Sequence, residues 1–320
     1  MWNHFVNQGF SQQAVSTMIQ ARRQTTYKQY DSYLQPWYDY CVTHNVDPHF
    51  PLVSQAINFM ANIRESRQLG YNAVNTMRSA LSSVIFHPDS IPFGQRPEVK
   101  LYMKGIYNSN PPTPRYAQIW DPHTVLDFLR TWSPATKLTL RQLTLKVVFL
   151  VLLVSGQRLQ TLHSLDINFM KQNTSSFTFV LSRLLKQSRP GYKNPRLTLK
   201  AYAPDKRICV YTYLDAYLVK TKSIRGNITG LFLTFAKPYH HASKDTLSRW
   251  VKEILRLSGI DTSTYGPHSV RAAASSAAKR GGASVQTILD TAGWTNNSTF
   301  ARYYNRPVQG KDFGMAIMDS

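Results

Sequence analysis

Cysteine is nearly absent from this 320-residue chain, which has only Cys41 and Cys209. Two thiols make neither a disulfide framework nor a Cys-based zinc site, and they fit a reducing compartment. Acidic residues are also scarce, at 17 Asp and Glu against 38 Lys and Arg, for a formal net charge of +21. So few carboxylates, with no evident cluster among them, count against a nuclease or transposase that grips Mg²⁺. Long hydrophobic runs are missing as well. The longest, 147–154, is eight residues, too short to cross a bilayer, and reads as part of a buried helix. The first residues, MWNHFVNQGF, lack a basic start followed by an apolar stretch, so no secretory leader is expected.

What is abundant is positive charge, spread along the whole chain. An excess of this size calls for a polyanionic partner, nucleic acid ahead of an anionic membrane. The length suggests about two domains. Residues 1–108 read as a helical domain. Tyr27, Tyr30, Leu34, Trp37, Tyr38 and Cys41 recur at helical spacing, with Pro36 expected to kink their helix. Further stripes run from Val53 to Ala61 and from Val74 through Val84 and Ile85, with a short one from Val99 to Ile106. Their apolar sides are core. The opposite sides carry Arg22, Arg23, Lys28, Arg64, Arg67 and Arg78, a solvated face that is equally suited to line DNA.

SNPPTPRYA, 109–117, reads as an extended spacer because three prolines in a polar stretch disfavour helix. A second domain, 118–320, opens with helices expected over 122–132 and 138–155, the second broken by Gly156. Two strands are expected at 177–182 and 195–202, joined by a basic hairpin tip, LLKQSRPGYKN. Helical stripes return around Val210–Leu218 and Leu247–Leu255, followed by GPHSVRAAASSAAKRGG, a short helix at 284–291, an Ala-Gly-Trp turn and a last helix ending in RYYNRP. The fold class is therefore mainly α with a small antiparallel β-sheet. His163 and His241 read as structural.

Five separated pieces carry chemistry. Arg158 follows the glycine break, Lys186 sits on the basic hairpin, and His268 and Arg271 share one helical turn. Trp294 follows a tight turn, and Tyr303 and Tyr304 lie about ten residues on. Each is weak alone. In this order and with these surroundings they resemble the tyrosine recombinase (phage integrase) superfamily, over most of 117–308. QRLQTLHSLD, KQSRPG, the HSVRAAASSAA helix and STFARYYNRP make the closer likeness, to recombinases of DIRS-type and Ngaro-type retrotransposons and of Cryptons; NTMRSALSSV and KGIYNSNPPTPRY resemble the same group.

That resemblance implies a site-specific recombinase or integrase of a mobile element. Such an enzyme cleaves and rejoins DNA through a covalent 3′-phosphotyrosine, with no metal and no cofactor. It also implies a helical core-binding domain and a catalytic domain closing as a C-shaped clamp on double-stranded DNA, with four copies in a synaptic complex. A tyrosine ester conserves the energy of the broken bond, but a tyrosine hydroxyl titrates near pH 10 in water and needs help. Arg158 and Arg271 would hold the phosphate oxygens with bidentate donors. His268 would donate to those oxygens or carry the nucleophile's proton. Lys186 would protonate the leaving 5′ oxygen, with Arg183, Arg189 and Lys193 as rivals or backbone contacts. Trp294 would donate its indole N–H and pack the pocket. Tyr304 is favoured as nucleophile because in the retrotransposon-type motif the position before the catalytic tyrosine is usually Phe, which makes Tyr303 the aromatic neighbour; the commonest superfamily spacing from Trp294 points to Tyr303.

Arg249 joins the DNA-contacting set. Many superfamily members carry an acid three residues after the first arginine, where this chain has Thr161. The tail, 308–320, has Phe313, Met315, Ile317 and Met318 and is suited to docking on a neighbouring subunit or to fraying. A DNA partner places the protein in the nucleus if the host is eukaryotic and otherwise in the cytoplasm. The alternative function is a DNA-binding protein derived from such a recombinase that no longer cuts.

Overall fold

The structure, a computed structural model, describes residues 2–113, 116–181, 196–294 and 297–306. It divides into two compact units, Met1–Pro114 and Arg115–Ser320. No helix among the described residues is long and apolar enough to cross a membrane.

The first unit is helical: α1 (Trp2–Asn7), α2 (Gln12–Ile19), α3 (Gln24–His44), α4 (Val53–Ser66), α5 (Tyr71–Leu81) and α6 (Pro97–Ser109). Its core holds Trp37, Phe59, Met60, Val74, Met77, Phe93, Val99 and Met103, all buried. Trp37 packs edge-on to Phe59 with ring centroids 5.1 Å apart, and its indole N–H donates to the Pro48 carbonyl at 3.1 Å. Such a donor must find a partner when buried. Pro36 lies within the single helix α3. Two sequence expectations need correction. Helix α5 stops at Leu81, so Val84 and Ile85, although buried, occupy the turn that follows. There the Ser82 hydroxyl accepts from the Gly94 amide at 2.7 Å. Helix α6 runs through Ser109, the first residue of the expected spacer.

The second unit is built around α8 (Leu140–Ser155), which is preceded by α7 (Pro122–Thr131) and followed by α9 (Leu159–His163). Helix α8 starts on a reciprocal cap between Thr139 and Gln142 and ends at Gly156 in the left-handed region, φ 57°. A left-handed stop favours glycine because Cβ is penalised there. Nearly every side chain from Leu143 to Leu153 is buried, so α8 is a central rod rather than an amphipathic surface helix.

A three-stranded antiparallel sheet follows, in the order β1 (Met170–Asn173), β2 (Ser176–Val180), β3 (Arg196–Lys200). Phe177 pairs with Leu199 and Phe179 with Leu197, and all four face the core. Thr178 and Thr198 meet on the opposite face at 3.2 Å. Strands β2 and β3 were expected slightly longer; β1 was not expected. Helices α10 (Val210–Thr221), α11 (Lys244–Leu257) and α12 (Ser269–Arg280) pack on α8, and α13 (Val285–Ala292) and α14 (Asn297–Tyr303) close the described chain.

The interior of this unit contains an unexpected charge. Lys146 on α8 is fully buried. Its Nζ donates to the carbonyls of Leu129, Trp132 and Arg207 at 2.6–2.7 Å and lies 3.6 Å from the Tyr213 ring centroid. One side chain thus ties the C-terminal end of α7, where carbonyls need added partners, to the turn at Arg207.

Candidate active site

The site forms where three chain turns meet above α8. The first is 156–158. The Gly156 carbonyl accepts from Arg271 Nη1 at 2.6 Å. Gln157 is buried; its amide nitrogen donates to the Thr291 carbonyl and its amide oxygen accepts from Thr161 Oγ1 at 3.1 Å. Gln157 therefore ties the turn that carries Arg158 to the end of α13. Thr161, at the position where an acid is usual, is spent inside the protein.

The second turn starts α12. His268 caps the helix in αR geometry, and the next hydroxyl, on Ser269, accepts from the Trp120 indole N–H at 2.9 Å. Arg271 is 1% exposed. Its guanidinium carbon lies 4.0 Å from the Trp294 ring and 5.5 Å from the Tyr304 ring. With Nη1 on Gly156, the buried Nε and Nη2 have no hydrogen-bond partner among the described residues. Burial, and secondarily the nearby Arg158 charge, pushes the Arg271 pKa down to about 9, with Tyr304 opposing the shift. A buried cation without a counter-ion is costly, and an anion arriving at Nε and Nη2 relieves that cost.

The third turn ends α13. Gly293 adopts φ 69°, and the Trp294 amide bonds back to the Leu289 carbonyl at 2.9 Å, which swings the indole onto Arg271. The Trp294 Nε1 proton is buried and without a partner among the described residues. Tyr304 follows α14 directly. Its hydroxyl lies 3.0 Å from His268 Nε2, and its ring centroid is 4.6 Å from that of Trp294. A cavity of about 240 Å³ opens here, lined among others by Gln157, Arg158, Ser248, Pro267, His268 and Arg271. No carboxylate among the described residues lines it. Among the described residues no three His, Cys, Asp or Glu side chains are grouped so as to hold a metal ion.

Arg158, His268, Arg271, Trp294 and Tyr304 are thus gathered in one place. Tyr303 is the last residue of α14, and its side chain lies outside the described residues, as do Arg183, Lys186, Arg189 and Lys193 and the tail beyond Arg306. Residues 182–195, where the basic hairpin tip is expected, lie outside the described residues. Arg249 is exposed on α11, one residue from the cavity-lining Ser248, with its Nη2 donating to Thr246 Oγ1 at 3.2 Å. In the first unit Arg23 and Lys28 are exposed and Arg22 lies 6.0 Å from the Tyr30 ring centroid. Arg64 and Arg78 are half-buried rather than fully solvated. His163 and His241 stack with ring centroids 4.6 Å apart. Sequence reasoning missed Gln157 and Ser276. The only signal for either was adjacency, Gln157 to Arg158 and Ser276 to the alanine-rich face of the HxxR helix.

The model of the phage integrase family matches residues 125–309, a span that includes all five gathered residues. The chain belongs to the phage integrase family. Solved structures agree with this integrase fold. XerH site-specific recombinase, bound to palindromic difH substrate in a post-cleavage complex, matches with a TM-score of 0.60 and 15% identity over 87% of this chain and 75% of that one. A lambda integrase tetramer bound to a Holliday junction gives 0.52 and 12% over 91% and 74%. The Tn1549 transposon integrase in complex with transposon right end DNA gives 0.53 and 15% over 83% and 84%. At such identities the likeness is one of fold. A search of the curated proteins gives no match.

Proposed function

We propose that this integrase is a site-specific DNA strand transferase of a mobile element, of the kind found in DIRS-type and Ngaro-type retrotransposons and Cryptons, with Tyr304 as its nucleophile. One observation carries the reading: Tyr304 Oη stands 3.0 Å from His268 Nε2, beside an Arg271 whose Nε and Nη2 are buried and unpartnered among the described residues. The first contact offers the tyrosine proton an acceptor. The second is an arginine fork that lacks only its anion.

The step balances without an outside reagent. Tyr304 Oη attacks the scissile phosphorus as its proton passes to His268. Arg271 and Arg158 hold the non-bridging oxygens where charge grows, and Trp294 Nε1 donates to the same group. Preorganised donors of this kind contribute about 3–4 kcal/mol each. The bond from phosphorus to the 5′ oxygen breaks, and Lys186 supplies the proton that oxygen needs. The products are a 3′-phosphotyrosyl ester and a free 5′ hydroxyl. Attack by the 5′ hydroxyl of a partner strand reverses the steps, restoring a phosphodiester and the tyrosine.

Double-stranded DNA, a clamp formed by both units, and a tetrameric synapse complete the proposal. The net charge of +21 and the DNA-bound relatives support the partner. The test is covalent trapping. The full chain is incubated in EDTA with nicked suicide duplexes from the ends of its own element, and any DNA-linked peptide is mapped by mass spectrometry. An adduct on Tyr304 is expected. Tight binding without an adduct on every duplex tested would leave a DNA-binding protein that no longer cuts.

A further inference from the structure

Serines inside helices commonly bond to the carbonyl one turn back. Ser275 does so, donating to the Arg271 carbonyl at 2.7 Å. Ser276 does not. It is 2% exposed on α12, and its hydroxyl donates to the Tyr304 carbonyl at 2.6 Å and accepts from the Arg306 amide at 3.1 Å. A serine hydroxyl has one proton to give. Here that proton and a lone pair both go to the same short piece of main chain, 28 and 30 residues ahead. The Tyr304 carbonyl follows the end of α14, where carbonyls have no intrahelical partner.

Tyr304 is consequently held at both ends by one helix. His268 takes its hydroxyl and Ser276 takes its main chain, while Arg271, between them on α12, lies beneath its ring. The buried Ala272 and Ala273 let α12 sit close against its neighbours, so the three contacts issue from a single packed element. We propose, resting on the strand-cleavage reading above, that Ser276 is a positioning residue. By pinning the chain at 304–306 to α12 it keeps Tyr304 Oη within reach of His268. An error of about 1 Å in placing a reacting group can cost on the order of 100-fold in rate.

The experiment measures adduct formation in a single turnover at saturating suicide duplex, together with duplex affinity and thermal melting, for the full chain. Ser276→Ala removes one oxygen from an alanine-rich helix. It is expected to form adduct about 10–100-fold more slowly with affinity little changed and melting lowered modestly, because the Tyr304 carbonyl and the Arg306 amide lose this partner. Ser276→Cys, which keeps the bulk but donates weakly, should fall between. A purely structural role would not predict the decisive comparison. If Ser276 acts by presenting Tyr304 to His268, the slowing should largely vanish in a His268→Ala background, because coupled residues are not additive. Slowing that multiplies in the double variant overturns the proposal. So does adduct formation by both single variants at the wild-type rate. A wild-type chain that gives no adduct sinks the strand-cleavage reading and this proposal with it, whereas a wild-type adduct with undiminished Ser276→Ala sinks this proposal alone.

Discussion

His268 Nε2 and Tyr304 Oη stand 3.0 Å apart across 36 residues of sequence, with the Trp294 indole against the same tyrosine ring. A tyrosine so placed meets an imidazole nitrogen at hydrogen-bond distance and a tilted aromatic wall at once. Tyr304→Phe removes only an oxygen, so the duplex should still bind while adduct formation falls to background. Tyr303→Phe should leave adduct formation within a few-fold of wild type. Gel-shift affinity and denaturing-gel adduct yield, measured on both variants, check this, and an adduct that survives Tyr304→Phe but not Tyr303→Phe reverses the assignment.

Arg271 should be irreplaceable by lysine. Its Nη1 is fixed on the Gly156 carbonyl and its plane lies on Trp294, leaving Nε and Nη2 side by side for an incoming anion. A lysine ammonium is a point charge that cannot occupy Gly156 and present a planar fork together. Arg271→Lys is therefore expected to lower the single-turnover cleavage rate by about 100–1,000-fold, with a smaller loss of duplex affinity. Rate and affinity measured at one ionic strength separate the two effects.

Lys146 gives a pH signature in stability. Burial pushes its pKa down from 10.5 to about 7, with Asp205 opposing, and the three carbonyls around Nζ also favour the ammonium. Between pH 7 and 10.5 the unfolded chain then holds a proton that the folded chain has released, so this group makes stability rise with pH across that window. Below pH 7 both states are protonated and the cost of burying the charge is fully present. Lys146→Met abolishes the titration and removes the Nζ donor from the Arg207 carbonyl, while the Leu129 carbonyl keeps the Trp132 amide and the Trp132 carbonyl keeps the Tyr213 hydroxyl, a loss of about 1–3 kcal/mol. The stability deficit of Lys146→Met should widen from pH 7 to 9. Denaturant titrations of both proteins at several pH values measure it, and a deficit that narrows with rising pH contradicts the assignment.

Much of this fold was legible because its signals are periodic. The apolar run 147–154 marked α8, Gly156 marked its stop, and the stripe Leu247–Leu255 marked α11. Strand β1 escaped because MKQN is an edge strand with three of four residues exposed, so it carries no apolar alternation. Lys146 escaped because nothing in the sequence tells a buried ammonium from a solvated one; its carbonyls come from 129, 132 and 207. The site was legible through residue types and order, since phosphate chemistry limits the choice of side chains. Its supports were not. Gln157 and Ser276 act through main-chain groups at 291, 304 and 306, whose proximity only the folded chain reveals.

Gly230 should be intolerant of any side chain. A Cβ built there would overlap the His241 ring, at Cδ2, Cγ and Nε2. That ring cannot retreat cheaply, because its other neighbour is His163, stacked at 4.6 Å on the last residue of α9. The chain around Gly230 is fixed as well: its carbonyl accepts from the buried Arg225 at 2.6 Å, and the adjacent Leu231 amide bonds to the Leu165 carbonyl at 2.9 Å. Overpacking of this kind costs about 1–3 kcal/mol. The short helix α9 begins directly after Arg158, so displacement of His163 would be passed toward the residue proposed to hold phosphate. Gly230→Ala is thus expected to lower the melting temperature by several degrees and to slow adduct formation further than that loss explains. Pairing it with His241→Ala, which opens the space, should recover most of the melting temperature. Failure of the second change to do so would place the strain elsewhere.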